Sequence, residues 1–162
     1  KILFMNQPNQ STQALIKVYI DGASRNNPGP SGAGIYLVKN ETVIVQQGFY
    51  LGIKTNNQAE YTALVLAAFF AKKHLTDNDK LVIISDSQLL VNQINGHYAI
   101  KNPELKKLYD CALSLLNGHS YYIMHVLREH NKIADKLANH GIDKKVPLPE
   151  DFLKLWCLDE NK

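Results

Sequence analysis

The chain has little cysteine, a single tryptophan and no long apolar run. Its 162 residues contain only Cys111 and Cys157, at a separation that fits no metal-ligand pattern. This argues against a disulfide-built scaffold and leaves two reduced, packed thiols as the expectation. No apolar stretch approaches the length that spans a bilayer, and Lys1-Ile2-Leu3-Phe4-Met5 is too short for the apolar core of a secretory signal. Membrane insertion is therefore not expected, and a cytoplasmic setting is the default. The one tryptophan, Trp156, falls near the end, where a packing role is the expectation. Strong charge of one sign is missing as well: the net charge is +3 with a pI near 8.8. That suits a polyanionic partner, and equally a solvated basic surface with none. No internal repeat and no second composition regime is present, so the length fits one core-forming domain.

What is present is a clear order of segments. Residues 6–13 are polar and uncharged, and residues 1–14 read as a flexible leader. A β-branched strand, Leu15 to Asp21, is followed by a Gly-, Asn- and Pro-rich turn through Pro30. Strands are expected over 32–39 and 42–50, joined by a tight hairpin at Asn40-Glu41. The period then changes to a helix over 57–73. Leu81-Val82-Ile83-Ile84-Ser85-Asp86 is nearly unbroken apolar sequence, as in a strand buried on both faces. Helices over 87–95 and 102–117, a strand over 121–127 and a helix over 133–143 complete the pattern, with a short amphipathic tail after Pro147 and Pro149. The hairpins demand antiparallel pairing and the later strand–helix–strand units parallel pairing. The expected fold class is α/β: a five-stranded mixed sheet, its first three strands antiparallel, with helices on both faces.

Four acids fall at informative places in this order. Asp21 and Asp86 end apolar strands that can lie parallel, and Glu60 and Asp135 stand in the first turns of expected helices. Each has an ordinary alternative: a turn start for Asp21, a dipole-favoured acid for Glu60, an N-cap for Asp86, an exposed helix-start acid for Asp135. Their joint placement at one end of one sheet is harder to obtain by chance. Clustered carboxylates repel and raise one another's pKa unless a cation intervenes. Mg²⁺ prefers oxygen ligands, and a pair of such ions serves displacement at phosphorus.

The surrounding residues resemble a known family. Tyr19-Ile20-Asp21-Gly22-Ala23 with Asn27 to Gly34 is similar to the first motif of type 1 ribonuclease H. Thr55-Asn56-Asn57-Gln58-Ala59-Glu60-Tyr61 is similar to the second, Ser85-Asp86-Ser87-Gln88 to the third, and Arg128 to Asn139, containing Asn131 and Asp135, to the fourth. The resemblance covers roughly 15–143 and implies an RNase H-like fold, with an RNase H domain at 15–145 and a C-terminal tail segment at 146–162. It also implies an endonuclease that cuts the RNA strand of RNA/DNA hybrids with two Mg²⁺ ions, Mn²⁺ being a possible substitute, and leaves 5′-phosphate and 3′-hydroxyl ends. In that reading Asp21 bridges both ions, Asp135 completes the site on the water side, and Glu60 and Asp86 complete the leaving-group side. Asn27, Asn56 and Gln88 contact the hybrid's minor groove. Thr55, with Asn27 or Asn57, grips a DNA-strand phosphate. A monomer is expected. The alternatives are an RNase H domain of a larger protein such as a reverse transcriptase, and a non-catalytic hybrid-binding domain.

The chain also departs from the family pattern. Many members carry a mobile histidine loop before the fourth motif. Here Arg128-Glu129 runs directly into His130-Asn131, so no catalytic role is assigned to His130. The basic protrusion after the third motif is short, offering His97, Tyr98 and Lys101. Tyr98 has two readings, stacking on a sugar or base and burial.

Overall fold

A computed structural model describes residues 13–158. Most of the leader read over 1–14, and the last four residues of the tail, lie outside the described residues. The elements run β1 (Leu15–Ser24), β2 (Gly29–Lys39), β3 (Thr42–Lys54), α1 (Asn56–Lys72), β4 (Lys80–Ser85), α2 (Gln88–Ile94), α3 (Pro103–Leu115), β5 (Ser120–His125), a 3₁₀ turn (Arg128–His130), α4 (Lys132–Lys144) and α5 (Glu150–Leu153). The five strands form one sheet in the order β3-β2-β1-β4-β5. β1, β2 and β3 pair antiparallel, while β4 joins β1 and β5 in parallel. This is the expected mixed sheet. No helix among the described residues is long and apolar enough to cross a membrane.

Local chemistry explains the layering. In β1 the alternate residues Ile16, Val18 and Ile20 are fully buried, and Leu81 to Ser85 of β4 are buried throughout, as befits a strand with neighbours on both edges. Helix α1 packs on β1 and β2 from one side; α4 packs on β2, β3 and β1 from the other. Glycines set how close the helices come. A Cβ on Gly22 would lie 2.3 Å from the Ala59 carbonyl carbon in α1, and one on Gly34 would lie 2.0 Å from the Ala134 oxygen in α4. Only a residue without a side chain fits at either contact. The β2–β3 hairpin turns through Asn40 and Glu41, both with positive φ (48° and 68°), the geometry of a tight primed turn.

Several boundaries differ from the sequence reading. β1 does not stop at Asp21: Gly22, Ala23 and Ser24 keep pairing with β2 after the pairing with β4 has ended at Ile20. The expected turn through Pro30 therefore shrinks to residues 25–28. β3 likewise runs on to Lys54, its register shifting opposite Ser31 and Gly32. Turn-type composition did not prevent pairing, because β2 supplied a partner strand. Beyond α4, the Tyr50 N–H donates to the Val146 carbonyl, and fully buried Phe152 meets the Phe69 ring edge-on at 5.4 Å. Trp156, expected to pack, is 45% exposed; Phe152 takes the buried place instead.

Candidate active site

β1 and β4 run parallel with Ile20 opposite Ser85, so the residues that follow, Asp21 and Asp86, emerge side by side at one end of the sheet. Asp21 is buried, and Asp86 is partly exposed. The alternative reading of Asp86 as a helix cap does not hold. Ser87 caps α2, its hydroxyl accepting from the Leu90 N–H at 3.2 Å, and the Asp86 carboxylate is not used for that purpose. Glu60 is not in the first turn of α1 as expected, because the helix begins at Asn56, capped by Thr55. From its place in the second turn its carboxylate accepts from the Gly22 N–H at 3.3 Å. The close approach that Gly22 permits is what brings Glu60 to the strand end.

Asp21, Glu60 and Asp86 each present a carboxylate oxygen within 4.8 Å of the others. Asp135, in the first turn of α4, stands outside that tight group, and its charge acts on Asp21. The electrostatics follow from this crowding. Burial first, then the charges of Asp86 and Asp135, push the Asp21 carboxyl up to about 8, while Arg128 pulls it down. Burial, Asp21 and Asp86 hold Glu60 well above the usual carboxylate range, against the pull of the Gly22 N–H. An oxygen-only, anionic cluster under this repulsion has the donor chemistry of a hard divalent cation such as Mg²⁺.

The amide residues form a second group at the same end. The Asn27 side-chain oxygen accepts from the Asn56 N–H at 2.9 Å, and the Asn56 side-chain oxygen accepts from the Ser24 N–H at 3.0 Å. Both oxygens are thereby occupied, and both amide NH₂ groups remain as exposed donors. Thr55 caps α1: its hydroxyl oxygen accepts from the Gln58 N–H at 3.1 Å, and the Gln58 side chain accepts from the Thr55 N–H at 2.9 Å. That hydroxyl keeps its own hydrogen to donate. Asn57 and Gln88 are exposed at the starts of α1 and α2. Tyr98 is 55% exposed, so its burial reading is excluded. The His130 side chain is 68% exposed, with Glu129 3.8 Å away.

Other residues support the acids without having been singled out as ligands. Arg25 binds Asp143 at 2.7 Å and donates to the Asn139 side-chain oxygen at 3.2 Å. The Asn139 NH₂ group is thereby turned toward Asp135, donating to its backbone oxygen at 3.0 Å and reaching its carboxylate at 3.5 Å. The 135/139 spacing on one helix face was a visible signal; Arg25, 114 residues from Asn139, was not. Arg128 comes within 3.8 Å of the Asp135 carboxylate. Buried Asn131 donates to the Ile20 carbonyl at 2.8 Å, tying the segment before α4 to the strand that carries Asp21. The His125 ring lies 3.2 Å from the Asp86 carbonyl oxygen.

Comparison with known proteins gives consistent relationships. The family described as "Reverse transcriptase-like" matches residues 19–141. Ribonuclease HI of Halobacterium salinarum is 41% identical over 130 residues, covering 79% of this chain and 64% of that protein. The crystal structure of RNase H1 from the same archaeon superposes with a TM-score of 0.74 at 38% identity, over 80% of this chain and 98% of that one. LC11-RNase H1, solved in complex with an RNA/DNA hybrid, gives 0.73 at 32% identity, over 82% and 98% of the two chains. The chain spans 64% of the Halobacterium protein and 35% of a similar bifunctional protein of Mycobacterium tuberculosis.

Proposed function

Because the chain belongs to the type 1 ribonuclease H family, we propose that it is an endonuclease hydrolysing the RNA strand of RNA/DNA hybrids. The observation that carries this reading is the convergence of Asp21, Glu60 and Asp86 within 4.8 Å at the carboxyl ends of β1 and β4. The proposed roles follow the family pattern. Two Mg²⁺ ions would be held by the four acids, with Asp21 shared between them, Asp135 serving the water side and Glu60 and Asp86 the leaving-group side. When bound, such ions activate the attacking water and neutralise charge on the leaving 3′-oxygen.

The chain's own residues then have distinct tasks. Glu60 is anchored by the Gly22 N–H, which fixes its carboxylate relative to Asp21. Asn139, oriented by Arg25, steadies Asp135. The free NH₂ donors of Asn27 and Asn56 match the acceptor-rich minor groove, and they can also meet 2′-hydroxyl oxygens, which DNA lacks. Gln88 extends this row from α2. The Thr55 hydroxyl hydrogen and Asn57 are the proposed grip on a DNA-strand phosphate. Products carry 5′-phosphate and 3′-hydroxyl ends.

A cleavage assay on one labelled strand tests the proposal. RNA in an RNA/DNA hybrid is cut with Mg²⁺ present, while RNA/RNA and DNA/DNA duplexes are left intact. Comparable cutting of duplex DNA would assign the chain to another nuclease class.

A further inference from the structure

Helix α4, which carries Asp135, begins on a cation where a helix does not favour one. Lys132 is its first residue, at the positive end of the macrodipole, where acids are stabilised and cations are not. Asn131 before it makes no capping bond with its side chain. Lys136 stands one turn on, about 6 Å along the axis, and shares a face of the helix with Lys132. Both residues are exposed. The acids around them are engaged elsewhere: Asp135 lies 3.8 Å from Arg128, Asp143 2.7 Å from Arg25 and Glu129 3.8 Å from His130. Among the described residues no carboxylate forms an ion pair with Lys132 or Lys136. An arrangement that local rules disfavour, and that the fold does not compensate, is expected where a ligand binds.

We propose that Lys132 and Lys136 bind phosphates of the cut strand on the 3′ side of the scissile bond, the part released with the 5′-phosphate. This rests on the hydrolase reading of the acid cluster. In that reading Glu60 and Asp86 stand on the side of the leaving 3′-oxygen, which belongs to the nucleotide before the cut. The phosphorus keeps its 5′ link, so the strand beyond the cut runs on the opposite side, that of Asp135. Lys132 lies one turn before Asp135 and Lys136 directly after it, so α4 presents two ammonium groups along that path. Lysine is a flexible point charge that holds a phosphate without reading a base. The pair therefore adds affinity and register, and no sequence preference.

The test measures kcat and KM of the full chain with Mg²⁺ over a series of KCl concentrations. The substrates are hybrids whose cut is fixed by a short RNA tract within a DNA strand. Lys132→Gln combined with Lys136→Gln should raise KM several-fold at low salt and leave kcat unchanged. It should also lower the slope of log KM against log salt by about one per lysine. The melting temperature should hold or rise, because a cation leaves the positive end of α4. Shortening the hybrid on the 3′ side of the cut should bring the wild-type KM up to that of the double variant. Shortening it on the 5′ side should leave their ratio unchanged. Lys144→Gln combined with Lys145→Gln, the same loss of charge at the far exposed end of α4, should behave as wild type. An unaltered salt slope, an equal effect from the Lys144 and Lys145 changes, or a KM ratio that closes on 5′ shortening would overturn the inference. A wild type that cuts no hybrid would sink the hydrolase reading itself, whereas a wild type that cuts and a double variant indistinguishable from it would sink the role of the two lysines alone.

Discussion

Asp21 concentrates the electrostatic conflict of the molecule at one side chain. Two acids act on it through space, burial removes its water, and Arg128 is its one cationic relief among the groups that shift it. Asp21→Asn removes one charge while keeping shape and volume. It should abolish hybrid cleavage and leave hybrid binding intact; retained cleavage would sink the two-metal assignment. Asn139 is the complementary case, because it acts through Asp135 rather than on substrate. Its orientation is set by Arg25, so Asn139→Ala frees Asp135 without unfolding α4. By the usual cost of removing a group that orients a metal ligand, the Mg²⁺ concentration for half-maximal cleavage should rise about tenfold to a hundredfold. An unchanged Mg²⁺ titration, together with unchanged Mn²⁺ binding, would reduce Asn139 to a structural residue. His130 lies on the exposed 3₁₀ turn beside Glu129, so His130→Ala should change the rate by less than about threefold, within the small effects typical of surface substitutions. A loss of several hundredfold would show that this histidine reaches the chemistry after all.

The start of α1 joins a helix cap to the proposed grip on a phosphate. Thr55 caps the helix through a reciprocal pair of bonds with Gln58, and Gln58 continues to Glu104 on α3. Removing the cap hydroxyl by Thr55→Ala should cost about 1 kcal/mol of stability. The same change should weaken hybrid binding, because the hydroxyl hydrogen is the group available to a phosphate. Thr55→Ser should restore both. If Thr55→Ala lowers the melting temperature and leaves hybrid affinity unchanged, Thr55 is a cap and nothing more. Legibility in the sequence divides at this scale. The sense of strand pairing, the helix positions and the two strand-end acids could be read because they depend on local period and on the topology it allows, whereas the order β3-β2-β1-β4-β5 came only from the structure. The position of Glu60 relative to the first turn was misread, since Asn57 looked as good a helix start as Asn56 and only the Thr55–Gln58 cap decides. The exposed Trp156 was misread because Phe152, four residues earlier, competes for the same core. The Arg25–Asn139 bond has no local signature, for it joins segments that meet only when the sheet and its helices have assembled.

For the molecule as a whole, the acid cluster opposes folding whenever its charges are uncompensated, and the sign of the effect can be worked out. Asp21 has an ordinary pKa of 3.8 when unfolded and about 8 when folded, and Glu60 shifts upward as well. Below the unfolded value both states hold the proton and the cluster costs nothing. As pH rises from there through the folded value, the unfolded chain releases protons that the folded one retains, so stability is lost across that window. Asp79 shifts the other way. Its carboxylate accepts from the Ala14 and Thr76 N–H groups and lies 3.6 Å from Lys39, so it stabilises the fold once ionised. That gain is complete by about pH 5, which leaves the region above it to the acid cluster. With divalent cations chelated, the melting temperature should therefore fall between about pH 5.5 and pH 8.5, and millimolar Mg²⁺ should restore more of it at the alkaline end, because a ligand that binds only the folded state stabilises it by mass action. Thermal unfolding at several pH values, with Mg²⁺ and with chelator, measures both slopes. Equal Mg²⁺ shifts across that range would mean that the cluster does not bind the cation, and a stability rising toward pH 8.5 without Mg²⁺ would mean that the carboxylates are compensated from within the protein.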